Sequence, residues 1–156
     1  MRASPAPPRM RGDADVRRER EITMATLTLD DANRITAAAQ ARAAELATGV
    51  TITVVDGGGQ VRTQSRMDGA RFGTLTVSAN KAFTAAAFGV PTKALSDLVQ
   101  PGQPLYGFAD AAGGRIAAFG GGAPIVRNDE VVGAIGVSGG SVDQDQDIAA
   151  AGAAAL

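Results

Sequence analysis

The stretch Arg115–Gly140, with the sequence RIAAFGGGAPIVRNDEVVGAIGVSGG, decides the fold. It contains three β-prone runs, at Ile116–Phe119, Pro124–Val126 and Val131–Val137. Asn128–Asp129 lies between two of these runs and predicts a hairpin turn, because both side chains tolerate positive φ. Gly120–Gly122 indicates a bulge or a corner where only a residue without Cβ fits, and a glycine-lined pocket wall is the alternative.

The segments before this stretch carry first a helix signal and then a hairpin signal. Thr28 followed by acidic residues predicts a helix N-terminus, and apolar residues at helical spacing continue to Leu46. The β-branched run Val50–Val55 predicts a strand, and Gln60–Met67 predicts a second strand that returns beside it. The intervening Asp56–Gly59 has the composition of a turn.

The other segments are predicted to be helical. Small residues at helical spacing predict a helix over Thr74–Gly89, and a short helix follows at Thr92–Leu98. Ser141 with Gln144 forms a capping box for a final helix that runs to Leu156, and the helix dipole explains the acidic first turn better than a metal site does. The order α-ββ-α-α-βββ-α predicts an α+β domain, with an antiparallel sheet of about five strands and helices packed on it.

The composition fits one globular domain and excludes several functional classes. The chain has 156 residues, 45% of them hydrophobic, which is enough for one sizeable core. Its 15 basic and 16 acidic residues give a net charge of −1, and one Tyr and no Trp leave little to stack bases, so no nucleic-acid partner is expected. Cysteine and histidine are absent, which excludes disulfides, thiolate zinc sites and imidazole ligands, and we expect no metal site.

The segment Met1–Thr23 is rich in Pro and Arg and differs from the rest of the chain. No apolar run follows its arginines, so we expect no secretory signal peptide, a cytoplasmic location and no membrane partner. We interpret residues 1–23 as a disordered extension or the product of an upstream start codon, and a basic interaction arm is the alternative. The domain itself is predicted to span residues 24–156.

Few polar groups are candidates for chemistry. Lys81, on the predicted helix Thr74–Gly89, either covers apolar surface with its stem or binds an anion at a pocket mouth. Tyr106 lies in an irregular segment with two prolines and either lines a pocket or covers the core. The backbone amides of Ser138, Gly139 and Gly140, just before the final helix, either hold a carboxylate or form only a glycine corner.

Several motifs occur together and in a consistent order. They are VVDGGGQV at Val54–Val61, RMDGA at Arg66–Ala70, SANKAFTAAAFGVPT at Ser78–Thr92, QPGQPLYG at Gln100–Gly107, FGGGAPI at Phe119–Ile125 and VVGAIGVSGGSVDQD at Val131–Asp145. In these motifs the chain resembles the GlcG/HbpS-like family of haem-binding, so-called haem-degrading domains, from about Leu27 to the C-terminus. The resemblance implies a profilin/PAS-like domain that forms homodimers or larger homo-oligomers and, in some members, binds haem or corrinoid-type ligands.

The resemblance also brings out a departure from the family. Many members carry His where Gln60 follows the glycine turn, and this chain has no His at all. A bound haem would therefore rely on Met67, Tyr106, Lys81 or a hydroxyl oxygen, or on contacts to its face and propionates.

The first functional hypothesis is a domain that binds haem or another carboxylate-bearing organic molecule. Lys81 and the amides of Ser138–Gly140 would hold its anionic groups, and Met67, Phe83 and Tyr106 would line the apolar part of the site.

Two other hypotheses remain open. One is a cofactor-free enzyme of the lyase or isomerase type, in which Lys81 or Asp68 transfers a proton on a small oxygenated metabolite and glycine amides stabilise the developing charge. The other is a structural or accessory module that assembles through its Ala- and Gly-rich faces.

Overall fold

An antiparallel sheet of four strands lies at the centre of the computed structural model, which describes Gly12 and residues 26–156. The strands are β1 (Thr51–Asp56), β2 (Val61–Arg66), β3 (Gly122–Arg127) and β4 (Glu130–Ser138), in the order β2-β1-β4-β3. The helices are α1 (Leu29–Glu45), α2 (Thr74–Phe88), the single turn α3 (Ala111–Gly114) and α4 (Val142–Ala153). Short 3-10 turns occupy Thr92–Leu95, Asp97–Val99 and Phe108–Asp110.

The register of the central strands defines the two ends of the sheet. Thr51 pairs with Ser138, and we call this the Ser138 end. Asp56 pairs with Gly133 at the opposite end, which also holds the β1–β2 turn, and we call it the glycine-turn end. Every candidate site described below lies at one of these two ends.

Helices cover both faces of the sheet. The main core lies between one face and the helices α1 and α4, and it includes the fully buried Ile35, Ile52, Ile135 and Ile148. The other face carries α2, which approaches so closely that a Cβ on Gly136 would lie 2.0 Å from the carbonyl oxygen of Ser78. The fold is therefore three layers with the sheet in the middle.

The local signals at helix and turn boundaries are confirmed. Thr28 and Ser141 each form a capping box with the third residue of the helix that follows, as two reciprocal hydrogen bonds between side chain and backbone. Asn128 and Asp129 both have positive φ, at 51° and 64°, and join β3 to β4. The predicted α+β class and order of elements are also confirmed.

Three details of the prediction were wrong. The described residues form four strands, not about five, because Ile116–Phe119 bonds along α2 instead of joining the sheet: the amide of Ala117 donates to Thr84 Oγ1 at 2.9 Å. The predicted helix Thr92–Leu98 is two separate 3-10 turns, and the final helix ends at Ala153, before Leu156.

The prediction that residues 1–23 form a separate extension falls outside the described residues, apart from Gly12. None of the described helices is long and apolar enough to cross a membrane.

Candidate functional site

Lys81 forms a buried ion pair at the Ser138 end of the sheet. Its Nζ donates to Asp145 Oδ2 at 2.9 Å and to the carbonyl oxygen of Val137 at 2.8 Å. The Lys81 and Asp145 side chains are 1% and 5% exposed. The pair therefore joins α2 to α4, which pack on opposite faces of the sheet.

The glycine corner before β3 makes room for this pair. Gly121 has φ 118°, and a Cβ at this position would lie 2.6 Å from Lys81 Nζ and 2.7 Å from the carbonyl oxygen of Val137. Phe119 covers the ammonium group from the outside, with its ring centroid 4.7 Å from Nζ. Gly120–Gly122 thus serves as the corner that the sequence indicated, and the space it leaves is taken by the lysine head.

Of the groups predicted to hold an anionic ligand, Lys81 and the amide of Gly140 are occupied by the carboxylate of Asp145. The amide of Gly140 donates to Asp145 Oδ1 at 2.9 Å, while Lys81 holds Oδ2. Ser138 is nearly buried at the end of β4, and Gly139 has φ 143°. Burial lowers the pKa of Lys81 below its usual value, and the hydrogen bond and charge of Asp145 oppose that shift.

The other predicted site residues do not gather around this pair. Met67 is half-buried and packs against the main core, and Asp68 is exposed, with no hydrogen bond or ion pair from its side chain to a described residue. Tyr106 is 69% exposed. Phe83 lies beside the β1–β2 turn, where the Arg115 guanidinium stacks 3.8 Å from its ring centroid. The sequence-based set of ligand-lining residues is therefore dispersed over the surface.

An open groove of about 640 Å³ lies at the glycine-turn end of the sheet. Its first wall is Thr26–Leu29, before and at the start of α1, and its second is Val131–Val132 on β4. The β1–β2 turn, with Gln60, forms the rest, and Asp56 fixes this turn because its Oδ1 accepts from the amides of Gly58 and Gln60, each at 3.0 Å. Arg62 is the one cation among the described residues of the groove.

Two β-bulges lie beside this groove. On the β1–β2 pair, Val54 faces Thr63 and Val55 faces Val61, so Arg62 is the extra residue. On the β3–β4 pair the register shifts in the same way, and Val132 is the extra residue. Bulges re-aim side chains and are frequent beside functional sites. Both extra residues line the same groove, which sets it apart from an incidental surface depression.

Sequence reasoning missed Arg62 and Val132 as site residues. The one signal for the groove in the sequence is the Asp56–Gly59 segment, whose composition predicts a turn but does not show that the turn borders a groove. Nothing in a single sequence marks where a strand gains an extra residue, because both runs keep an ordinary β-prone composition. Asp145 was assigned to the helix dipole, and its partner Lys81 lies 64 residues away in the chain.

Comparison with known proteins gives a consistent result. The family model described as haem degrading protein HbpS-like matches residues 27–154. An uncharacterised 15.0 kDa protein from the dhaT-dhaS intergenic region of Citrobacter freundii is 43% identical over 123 residues, which cover 79% of this chain and 87% of that protein.

Solved structures show the same similarity. The crystal structure of a PduOC–heme complex has a TM-score of 0.80 and 39% identity, with 84% of this chain and 95% of that chain covered. A double mutant of HbpS from Streptomyces reticuli has a TM-score of 0.76 and 31% identity, with 99% of both chains covered.

Proposed function

This chain belongs to the HbpS-like family, and on that premise we propose that it binds haem, or another organic molecule that carries a carboxylate, in the groove at the glycine-turn end. The observation that carries the proposal is the groove itself, with its mixed walls and with Arg62 as the cation among its described residues. Its volume of about 640 Å³ lies within the range of small-molecule sites, roughly 300–1,000 Å³. The PduOC–heme complex supports a tetrapyrrole on this type of fold.

The carboxylate of the ligand is assigned to Arg62 and not to Lys81. Arg62 is exposed and forms no ion pair with a described residue, so its guanidinium is available for a charge-assisted hydrogen bond. Lys81 is buried and already holds Asp145, and a second carboxylate there would face that charge. Lys81, Ser138, Gly139 and Gly140 therefore stabilise the corner of the fold in this proposal.

The groove fits the organic part of haem but not its iron. Haem iron is usually held by His, Cys, Met or Tyr, and none of the described residues lining the groove is of these types. Met67 packs against the core and Tyr106 is exposed outside the groove, so neither replaces the missing histidine there. The proposed binding uses Arg62 for a carboxylate and Leu27, Leu29 and Val131 for apolar contact.

Titration with hemin and with metal-free protoporphyrin IX tests the proposal. Because none of the described groove residues is a usual iron ligand, we expect saturable binding of both compounds with similar affinity, followed by absorbance and by porphyrin fluorescence. Arg62→Gln removes the charged partner, which costs on the order of 1.5 kcal/mol or more, so affinity for both should fall about tenfold.

Arg66→Gln is the matched control. Arg66 lies on the same strand as Arg62 but at the Ser138 end, where it pairs with Thr51. Wild-type affinity in this variant is expected. The proposal fails if neither compound binds saturably, or if the two substitutions weaken binding equally.

We also infer that the chain associates with further copies of itself, as the family resemblance implies. Phe72 and Tyr106, which are 80% and 69% exposed, offer aromatic surface that such a contact could bury. Light scattering of the full chain should give a mass above that of a monomer, and a monomeric mass at micromolar concentration would contradict the inference. No geometry favours the enzyme hypothesis, since Lys81 is buried and paired and Asp68 lies outside the groove.

A further inference from the structure

Arg127, the last residue of β3, links two walls of the groove. Its Nη1 donates to the carbonyl oxygen of Thr26 at 3.2 Å, and its Nη2 donates to Asp31 Oδ2 at 2.9 Å. Thr26 belongs to the wall that precedes α1. The opposite wall, Val131–Val132, follows Arg127 in the same β3–β4 hairpin. Arg127 is not itself among the residues that line the groove.

Asp31, which accepts from Arg127, is held in place by further hydrogen bonds. Its Oδ2 also accepts from the amide of Thr28 at 3.0 Å, and its own amide donates to Thr28 Oγ1 at 3.1 Å. Arg34 binds the other carboxylate oxygen. The Asp31 side chain is 9% exposed, whereas those of Arg127 and Arg34 are 21% and 60% exposed, so the carboxylate is the shielded part of this network. The N-terminal wall is therefore tied to α1 through Asp31 and to the hairpin through Arg127.

The guanidinium group suits this position better than an ammonium group would. Arg presents donors in a rigid planar fork, whereas Lys offers a single nitrogen on a flexible stem. Here the two terminal nitrogens of the fork reach two different acceptors, one on the backbone of the wall and one on Asp31. Lysine at position 127 would keep the charge beside Asp31 but would not hold both acceptors in the same geometry.

We propose that Arg127 is a positioning residue that fixes the separation of the Thr26–Leu29 and Val131–Val132 walls, and thereby selects the size of the ligand. This inference rests on the proposed function. A fixed wall favours a large flat carboxylate, because such a ligand contacts both walls at once, whereas a small one contacts either wall alone. Loss of Arg127 should then weaken the large ligand more than the small one.

The binding test compares two probes, protoporphyrin IX and 2-naphthoate, on the full chain. In Arg127→Gln and in Arg127→Lys, the ratio of their affinities should fall at least about fivefold from wild type, the effect of losing one hydrogen bond worth about 1 kcal/mol. Arg34→Gln is the control, because Arg34 contacts the same Asp31 but neither Thr26 nor the hairpin. Its ratio should equal that of wild type. A purely structural role for Arg127 would lower stability without changing the ratio, and that result would overturn the proposal.

Amide hydrogen exchange of the ligand-free protein gives a second readout that does not depend on binding. Exchange at Thr28 and Leu29 should be faster in both Arg127 variants than in wild type, and unchanged in Arg34→Gln. If wild type binds neither probe, the proposed function fails, while the exchange rates still test the positioning role. Equal exchange in Arg127→Gln and Arg34→Gln would overturn that role even if both probes bind.

Discussion

Lys81 and Asp145 form an ion pair, Nζ to Oδ2 at 2.9 Å, that connects α2 to α4 across the Ser138 end of the sheet. Both charges have lost their water, and the pair is balanced by two backbone groups, the carbonyl of Val137 and the amide of Gly140. Removing two ions from water is costly, so such a pair is weak evidence of net stabilisation. Removing only one partner is strongly destabilising, because the other charge is then left buried without a counter-charge.

Asp145→Asn is therefore expected to lower the free energy of unfolding by about 3 kcal/mol, the usual cost of a buried charge without its partner. The side-chain oxygen of Asn can still accept from the amide of Gly140, so the loss of stability reports the unpaired Lys81. In the double variant Lys81→Met/Asp145→Asn neither side chain of the pair is charged, and at least half of the lost stability should return. Urea unfolding of the single and double variants measures this.

The exposed pair Lys93–Asp143 is the control for that experiment. Its charged atoms are 3.6 Å apart and its side chains are 63% and 90% exposed, so Asp143→Asn should cost less than about 1 kcal/mol, mainly its interaction with the helix dipole. If the double variant is as unstable as Asp145→Asn, then lost packing, and not an unpaired charge, accounts for the effect.

Gly136 allows α2 to lie directly on the sheet. A Cβ here would meet the backbone oxygen of Ser78 at 2.0 Å and the backbone nitrogen of Ala82 at 2.5 Å, and neither atom can move without the helix. We expect Gly136→Ala to cost more than about 2 kcal/mol of unfolding free energy, as overpacking does. Gly73, just before α2, has φ −60° and no atom within 4 Å of a Cβ, so Gly73→Ala should be neutral or slightly stabilising in the same unfolding assay.

Signals that act within a few residues could be read from the sequence. The capping boxes at Thr28 and Ser141 and the turn at Asn128–Asp129 depend on local hydrogen bonds and on φ preferences, and all three are present. The prediction of a strand at Ile116–Phe119 was wrong because the backbone there bonds to the hydroxyl of Thr84, which is distant in sequence, and not to a neighbouring strand. Local propensity gives no information about such a partner.

The groove was unpredictable for a related reason. It depends on how the strands pair, and the two bulges at Arg62 and Val132 beside it are properties of strand pairs. For Lys81 the sequence leaves open whether it covers apolar surface or binds an anion, and the partner that the structure gives it, Asp145, lies 64 residues away in the chain. Predicting the groove and predicting the partner of Lys81 both require the three-dimensional arrangement of elements that are far apart in the chain.

Asp31 should make stability depend on pH at the acidic end. Burial of Asp31 opposes ionisation, yet the hydrogen bonds from Thr28, Arg127 and Arg34 together outweigh it and hold its pKa far below the usual value. The unfolded chain therefore takes up this proton first as the pH falls. The stabilisation is fully present above about pH 4 and is lost progressively below it.

Asp31→Asn should thus be less stable than wild type by about 2 kcal/mol at pH 7, and the difference should narrow between about pH 4 and pH 2. Urea unfolding at a series of pH values gives both quantities. Asp30→Asn is the control, because Asp30 is exposed in the same helical turn and takes no part in the hydrogen bonds of Asp31 with Thr28, Arg34 and Arg127. A difference that stays constant down to pH 2 would show that the loss is one of packing and not of charge.

Gln60→His tests whether the groove lacks only an iron ligand. Gln60 lines the groove directly after the glycine turn, at the position where the family resemblance leads us to expect His in other members. Imidazole is a common haem ligand, so the variant should bind hemin at least about tenfold more tightly than metal-free protoporphyrin IX, with a shifted Soret band, whereas wild type binds both alike. Adding Arg62→Gln should weaken both compounds by the same factor in either background, because the carboxylate contact and the iron contact are separate. A hemin preference already present in wild type, or no preference in Gln60→His, would place the ligand elsewhere on the protein.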